Sequence, residues 1–122
     1  MWQALALTVV FGMSLLPAFA MGAEKPVTDV KSLAGSWQGH AYDRVTGKRL
    51  GKQVTLTIKD DGSYQASGAF TVQGALRADG GKVFFQSSRA SGTVTLHEEK
   101  GQETLKFWSE DGKPVGEYDR VK

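Results

Sequence analysis

Turn chemistry recurs about every ten residues along most of this chain, at the spacing typical of all-β domains: Thr46-Gly47, Asp61-Gly62, Gly68, Asp79-Gly80-Gly81, Ser91-Gly92, Lys100-Gly101 and Asp111-Gly112. Asp-Gly accepts the positive φ that tight hairpin turns demand. The intervening segments are too short for a parallel crossover, so sequence neighbours must pair antiparallel. Within them the apolar residues alternate. Val54, Leu56 and Ile58 are separated by Thr55 and Thr57, Phe70, Val72, Gly74 and Leu76 by Thr71, Gln73 and Ala75, and Val94 and Leu96 are flanked by Thr93, Thr95 and His97. Period two marks strands with one wet face. No stretch after Leu33 keeps apolar residues at helical spacing for ten residues, which excludes a helical domain.

Seven turns bound eight strands, placed at 36–44, 49–60, 63–68, 70–78, 82–88, 91–98, 103–109 and 114–121. Eight twisted antiparallel strands either split into two sheets or close on themselves, and closure removes the exposed edges that invite aggregation. The similar hairpin lengths favour an all-β, eight-stranded antiparallel up-and-down barrel over a sandwich. At 122 residues the chain has room for one domain. It has no cysteine, which excludes disulfides, a thiol nucleophile, Cys-ligated zinc or iron–sulfur sites and a lipidated cysteine. The net charge of +2, from 15 basic and 13 acidic residues mixed along the chain, does not imply nucleic acid.

The first segment reads as an address. No charge occurs from Met1 to Ala23, and Ala4–Phe19 is almost entirely apolar, as in a signal-peptide core. Pro17 breaks that run just before Ala18-Phe19-Ala20, whose small first and third residues suit a signal peptidase, so cleavage is placed after Ala20, with Ala23 second. Met1-Trp2-Gln3 lacks the usual basic residue, which keeps an uncleaved membrane anchor as the rival. Either way the domain lies outside the cytoplasm, periplasmic or secreted. The expected layout is a leader over 1–20, an arm over 21–32 and the barrel over 33–122.

Before the first strand the chain reads Asp29-Val30-Lys31-Ser32-Leu33-Ala34-Gly35-Ser36-Trp37, at most a short helical turn, then Gly-x-Trp at the mouth of a strand. This resembles the opening of the lipocalins and related calycin barrels, above all the small lipocalin-like proteins of bacterial envelopes. The resemblance implies that Trp37 plugs the barrel floor and that Arg120, at the end of the last strand, lies over its face as a cation–π partner. Read without it, Arg120 is a solvated terminal charge. Family members that carry large ligands have longer strands, wider loops, a helix after the barrel and often disulfides; these are missing here, so the resemblance does not fix a cavity size.

If Trp37 faces in, alternation sends Gly39 and Ala41 in with it and turns Ser36, Gln38, His40 and Tyr42 to water. The interior then comprises Val54, Leu56, Ile58, Tyr64, Ala66, Phe70, Val72, Gly74, Leu76, Val83, Phe85, Val94, Leu96, Leu105, Phe107 and either Val115 or Tyr118. Such a lining suits an apolar filling or an apolar ligand, since an unpaired buried charge is costly. Trp37, Tyr64, Phe70, Phe85 and Phe107 are the candidate ligand contacts; as plain core residues they would fill the barrel instead. Phe84 and Trp108 fall on the outer face, beside the outward row Thr93, Thr95 and His97. With His97 they form a candidate surface patch, unless a bulge turns one of them inward.

No catalytic machinery is recognisable. His40 and His97 are far apart and lack a third ligand, so no metal site and no cofactor are expected. No Gly-x-Ser-x-Gly elbow occurs. Asp60-Asp61, Asp79 and Glu110-Asp111 sit in turns, where aspartate serves backbone hydrogen bonding and solvation is expected to keep its acidity ordinary. Arg44, Lys48, Arg49 and Lys52 cluster at the first hairpin, as contacts for anionic headgroups or cell-wall polymers or as a solvated tip that resists edge pairing. The leading expectation is a monomeric exported barrel that binds a small apolar molecule inside. The alternatives are a protein-interaction module, such as an inhibitor of an exported protease that uses residues 21–32 as an arm, and a filled barrel with no internal ligand. Contact with a membrane is expected only through an uncleaved leader.

Overall fold

The computed structural model describes residues 23–68 and 70–122; the expected leader and its cleavage after Ala20 lie outside them. The described chain runs β1 (Ala23–Lys25), a single 3-10 turn (Val30–Leu33), β2 (Gly35–Ala41), β3 (Val54–Ile58), β4 (Ser63–Ser67), β5 (Val72–Asp79), β6 (Lys82–Ser87), β7 (Ser91–Glu99), β8 (Gln102–Ser109) and β9 (Pro114–Arg120). Each of β2 to β9 pairs antiparallel with the next, and β9 returns to pair with β2, so the eight strands close into an up-and-down barrel. Most of the tight turns are those expected, but Ser91-Gly92 is not one: both residues pair within β7, and the β6–β7 turn falls on residues 88–90. At Gly80-Gly81 and at Lys100-Gly101 both central residues have positive φ, and Lys100 (φ 52) is the one non-glycine residue of the described chain in that region.

Three features depart from the expected layout. Residues 49–60 do not form one long strand, because the chain after β2 first folds on itself. Asp43 Oδ1 accepts from the backbone N–H groups of Val45 (2.7 Å) and Thr46 (2.9 Å), Tyr42 bridges Arg49, and the chain bends at Gly51 and Lys52 before β3 begins. The expected arm is, from Ala23 onward, part of the wall. β7 is nine residues long and β6 six, so β7 outruns its neighbour, and β1 fills the vacant edge with Ala23, Glu24 and Lys25 opposite Glu98, His97 and Leu96. Val27, ahead of the 3-10 turn, and Leu33, its last residue, are both buried in the core.

The third departure is a bulge in β9. Strict alternation allows either Val115 or Tyr118 inside, yet both line the interior, because the register against β8 slips between Phe107↔Gly116 and Trp108↔Pro114. The other expected inward residues are where alternation puts them. Trp37, Val54, Leu56, Ile58, Tyr64, Leu76, Val83, Phe85, Val94, Leu96, Leu105 and Phe107 form one buried cluster, with Phe70 half-buried against it.

Candidate functional site

In an up-and-down barrel alternate hairpins lie at opposite ends, so the β2–β3, β4–β5, β6–β7 and β8–β9 connections share one end, and the start of β2 and the terminus of β9 lie at the other. The terminal end is closed. Trp37 is fully buried, and its indole Nε1 donates to the Leu33 carbonyl in the 3-10 turn (2.9 Å). Trp37 and Arg120 are cross-strand partners, so Arg120 points along the inner face, with its guanidinium carbon 4.3 Å from the Trp37 ring centroid. That guanidinium donates to the carbonyls of Ala34 (2.9 Å) and Ser32 (2.8 Å) and, through Nε, to Glu103 Oε1 (2.7 Å). It therefore ties the turn, β8 and β9 together across the tryptophan, and the solvated reading of Arg120 does not hold.

Glu103 also faces Lys25 (3.4 Å), which bridges on to Glu98 (2.9 Å). Burial alone would push the Glu103 carboxyl up, but hydrogen bonds and charge from Arg120 and Lys25 outweigh it and hold the pKa below the ordinary glutamate value. A group depressed in the folded state stabilises the fold above its unfolded pKa, about 4.3 for glutamate, and that contribution is lost as pH falls through the folded value. Glu103→Gln is accordingly expected to cost about 1 kcal/mol in urea unfolding at neutral pH. The gap to wild type should narrow as pH falls below the ordinary glutamate pKa and close once the wild-type carboxyl is itself protonated.

The opposite end is open and hollow. A cavity of about 290 Å³ lies there, lined by apolar side chains of several strands, among them Leu56, Ala66, Val72, Phe85, Phe107 and Val115. Of the five expected ligand contacts the structure brings four to this space: Tyr64, Phe70, Phe85 and Phe107. Trp37 is not a lining residue, because the floor it plugs lies at the far end. Phe107 is the hub, with ring centroids 5.1 Å from Phe85, 5.6 Å from Tyr118 and 5.8 Å from Tyr64. These tilted and edge-on contacts join rings from β4, β6, β8 and β9 across the barrel interior, and all four rings line the hollow. Burial pushes the phenols of Tyr64 and Tyr118 up to about 12, so both stay neutral at physiological pH.

Tyr42, expected to face water, lines the hollow because it lies past the end of β2, where alternation no longer holds; Arg44, read only as a hairpin cation, lines it too, and Asp43, Leu50, Ser87, Arg89 and Ala90 were not singled out from the sequence. The signal for them is hairpin parity, since Arg44 in the β2–β3 connection and Arg89 in the β6–β7 turn must emerge at the same end of such a barrel.

On the outer wall Phe84 and Trp108 flank Thr93 in one cross-strand row and are half-buried, each with a cation over its ring: Arg77 at 4.7 Å and Lys106 at 5.5 Å. Trp108 remains outward, because the bulge falls on β9 and leaves β8 regular. His97 is not exposed as expected but 8% accessible, paired on one side with β1 and on the other with β8. The Thr95 hydroxyl accepts from Trp108 Nε1 (2.9 Å) and lies 2.8 Å from His97 Nε2. The row is thus a knitted piece of wall, with His97 drawn into it.

Asp61 and Asp111 are more acidic than solvation alone would leave them. The Ser63 backbone N–H and hydroxyl hold Asp61 below the usual aspartate value, and the Ser109 hydroxyl and Lys113 N–H do the same for Asp111. Among the described residues no three of His, Asp and Glu cluster as a metal centre would. Comparison of the chain with protein-family models, curated proteins and solved structures finds no match.

Proposed function

We propose that this protein is an exported, lipocalin-like carrier whose open end takes one small apolar molecule. The observation that carries the reading is the cavity of about 290 Å³ walled by Leu56, Ala66, Val72, Phe85 and Phe107, close to the lower limit of small-molecule sites. The floor of Trp37 under Arg120 supports the family resemblance, and the leader-like Ala4–Phe19 run supports export. Carriage fits better than catalysis. The polar groups in the hollow include the Tyr64 and Tyr118 phenols, whose high pKa makes them poor bases at neutral pH. An inhibitor arm is less well supported, since Ala23–Lys25 is engaged as β1.

The test is a titration with 1-aminoanthracene, a neutral apolar fluorophore. Wild-type protein is expected to bind one equivalent saturably. Ala66→Phe projects a ring into the hollow and should weaken binding at least about tenfold, or ~1.4 kcal/mol, with Val115→Trp as a second filling variant at a less buried position. No binding to wild type, or equal binding to both filled variants, would contradict the proposal.

A further inference from the structure

The cavity wall changes character at its mouth. Deep in the hollow the surface is apolar, and the same burial that keeps the Tyr64 and Tyr118 phenols protonated would penalise any anion placed there. The charge lies at the rim. Arg44 and Arg89 are the two cations among the lining residues, both are exposed, and neither has a carboxylate within 4 Å among the described residues. Arg89 stacks over half-buried Phe70, its guanidinium carbon 5.6 Å from the ring centroid, which braces it at the opening. Two carboxylates share this end: Asp43, itself a lining residue, accepts from Val45 and Thr46, and Asp111, which feels the charge of Arg44, accepts from Ser109 and Lys113, so the lining carries two cations against one carboxylate.

We infer that the ligand is a single-chain amphiphile, held tail-inward with an anionic head between Arg44 and Arg89. The inference rests on the carrier reading and adds the head group to it. One chain is as much as a hollow of about 290 Å³ admits, and the head stays in water at the mouth, where pairing with two exposed guanidinium groups costs little desolvation. An apolar site without cations prefers the neutral member of a matched pair; this rim reverses that order.

Displacement of 1-aminoanthracene by decanoate and by decanol at pH ~8, where the acid is ionised, separates the two. Wild-type protein should be half-displaced by decanoate at a concentration about five- to tenfold lower than by decanol. That preference should shrink at ~1 M salt, where the Debye length is about 3 Å. The double variant Arg44→Gln/Arg89→Gln should lose the preference while keeping its affinity for decanol. Decyl phosphate distinguishes a phosphate head from a carboxylate, and preference for either anion over decanol supports the inference. Equal displacement by decanol and both anions, or a preference that survives in the double variant, overturns the head-group assignment and leaves the carrier reading standing. Failure of every compound, with no binding of the fluorophore, overturns both. Co-sedimentation with phosphatidylglycerol vesicles without any preference for the anionic amphiphile would assign the basic rim to a membrane surface and overturn the inference.

Discussion

Trp37→Ala is expected to remove about 3–5 kcal/mol of stability, a large part of the 5–15 kcal/mol typical of a whole domain. Three losses coincide at this position. The fully buried indole leaves a hole at the barrel floor, where Leu56 of β3 and Arg120 of β9 are its cross-strand partners. The Leu33 carbonyl, which accepts the indole N–H at 2.9 Å, loses its side-chain donor inside the core. Arg120 keeps its bonds to Ser32, Ala34 and Glu103 but loses the ring beneath it. Trp37→Phe separates these contributions. It keeps a ring under the guanidinium and should cost about 1–3 kcal/mol, mostly from the orphaned carbonyl. Urea midpoints at constant m-value measure both, and an alanine variant within ~0.5 kcal/mol of wild type, the range of ordinary surface changes, would contradict the assignment of Trp37 as the plug. Because the plug and the cavity occupy opposite ends, Trp37→Phe should still bind 1-aminoanthracene as wild type does.

How much of this was readable in the residues follows from the range over which each signal acts. Strand number, antiparallel order and the inward set are local matters, carried by turn chemistry and by alternation such as Val54-Thr55-Leu56-Thr57-Ile58, and the barrel has them as expected. The features that escaped depend on distant partners. Ala23-Glu24-Lys25 has no strand pattern of its own; it becomes β1 because β7 extends beyond β6. That same pairing draws in His97, whose alternation says only that it faces outward. The slip at Val115 is a matter of register between β8 and β9, and a one-residue change of parity leaves no mark in composition.

The site divides in the same way. That Tyr64, Phe70, Phe85 and Phe107 face inward was legible. That they leave a hollow beside them was not, because the space depends on how the rings tilt around Phe107. Arg44 was visible as one of four cations on a hairpin, but its place in the same cavity lining as Arg89 emerges only once the barrel has two distinct ends. The Arg120–Trp37 contact lies between these extremes. A two-residue motif and a terminal arginine were enough to frame it, and the pairing of β2 with β9 realises it.

Barrel closure itself predicts a second large effect, at Gly39. This residue sits on the inner face of β2 between Val54 and Tyr118, in the seam where first and last strands meet. A Cβ there would lie 1.9 Å from the Glu117 carbonyl oxygen and 2.7 Å from the Tyr118 Cα, both backbone atoms that no rotamer change can move. Gly39→Ala must therefore push β9 away from β2, at a cost of about 3 kcal/mol, toward the upper end for overpacked sites. Gly51→Ala is the matched control. Its Cβ would meet nothing within 4 Å, and a loop glycine free of strain gains a few tenths of a kcal/mol when replaced, through the unfolded chain. The two variants carry the same added methyl group, so a large difference in urea midpoint isolates the seam. An opened seam also exposes two unpaired strand edges, so Gly39→Ala should form oligomers in size-exclusion chromatography while Gly51→Ala matches wild type. Equal stability and equal elution of the two variants would mean that β2 and β9 do not approach as closely as a closed barrel requires.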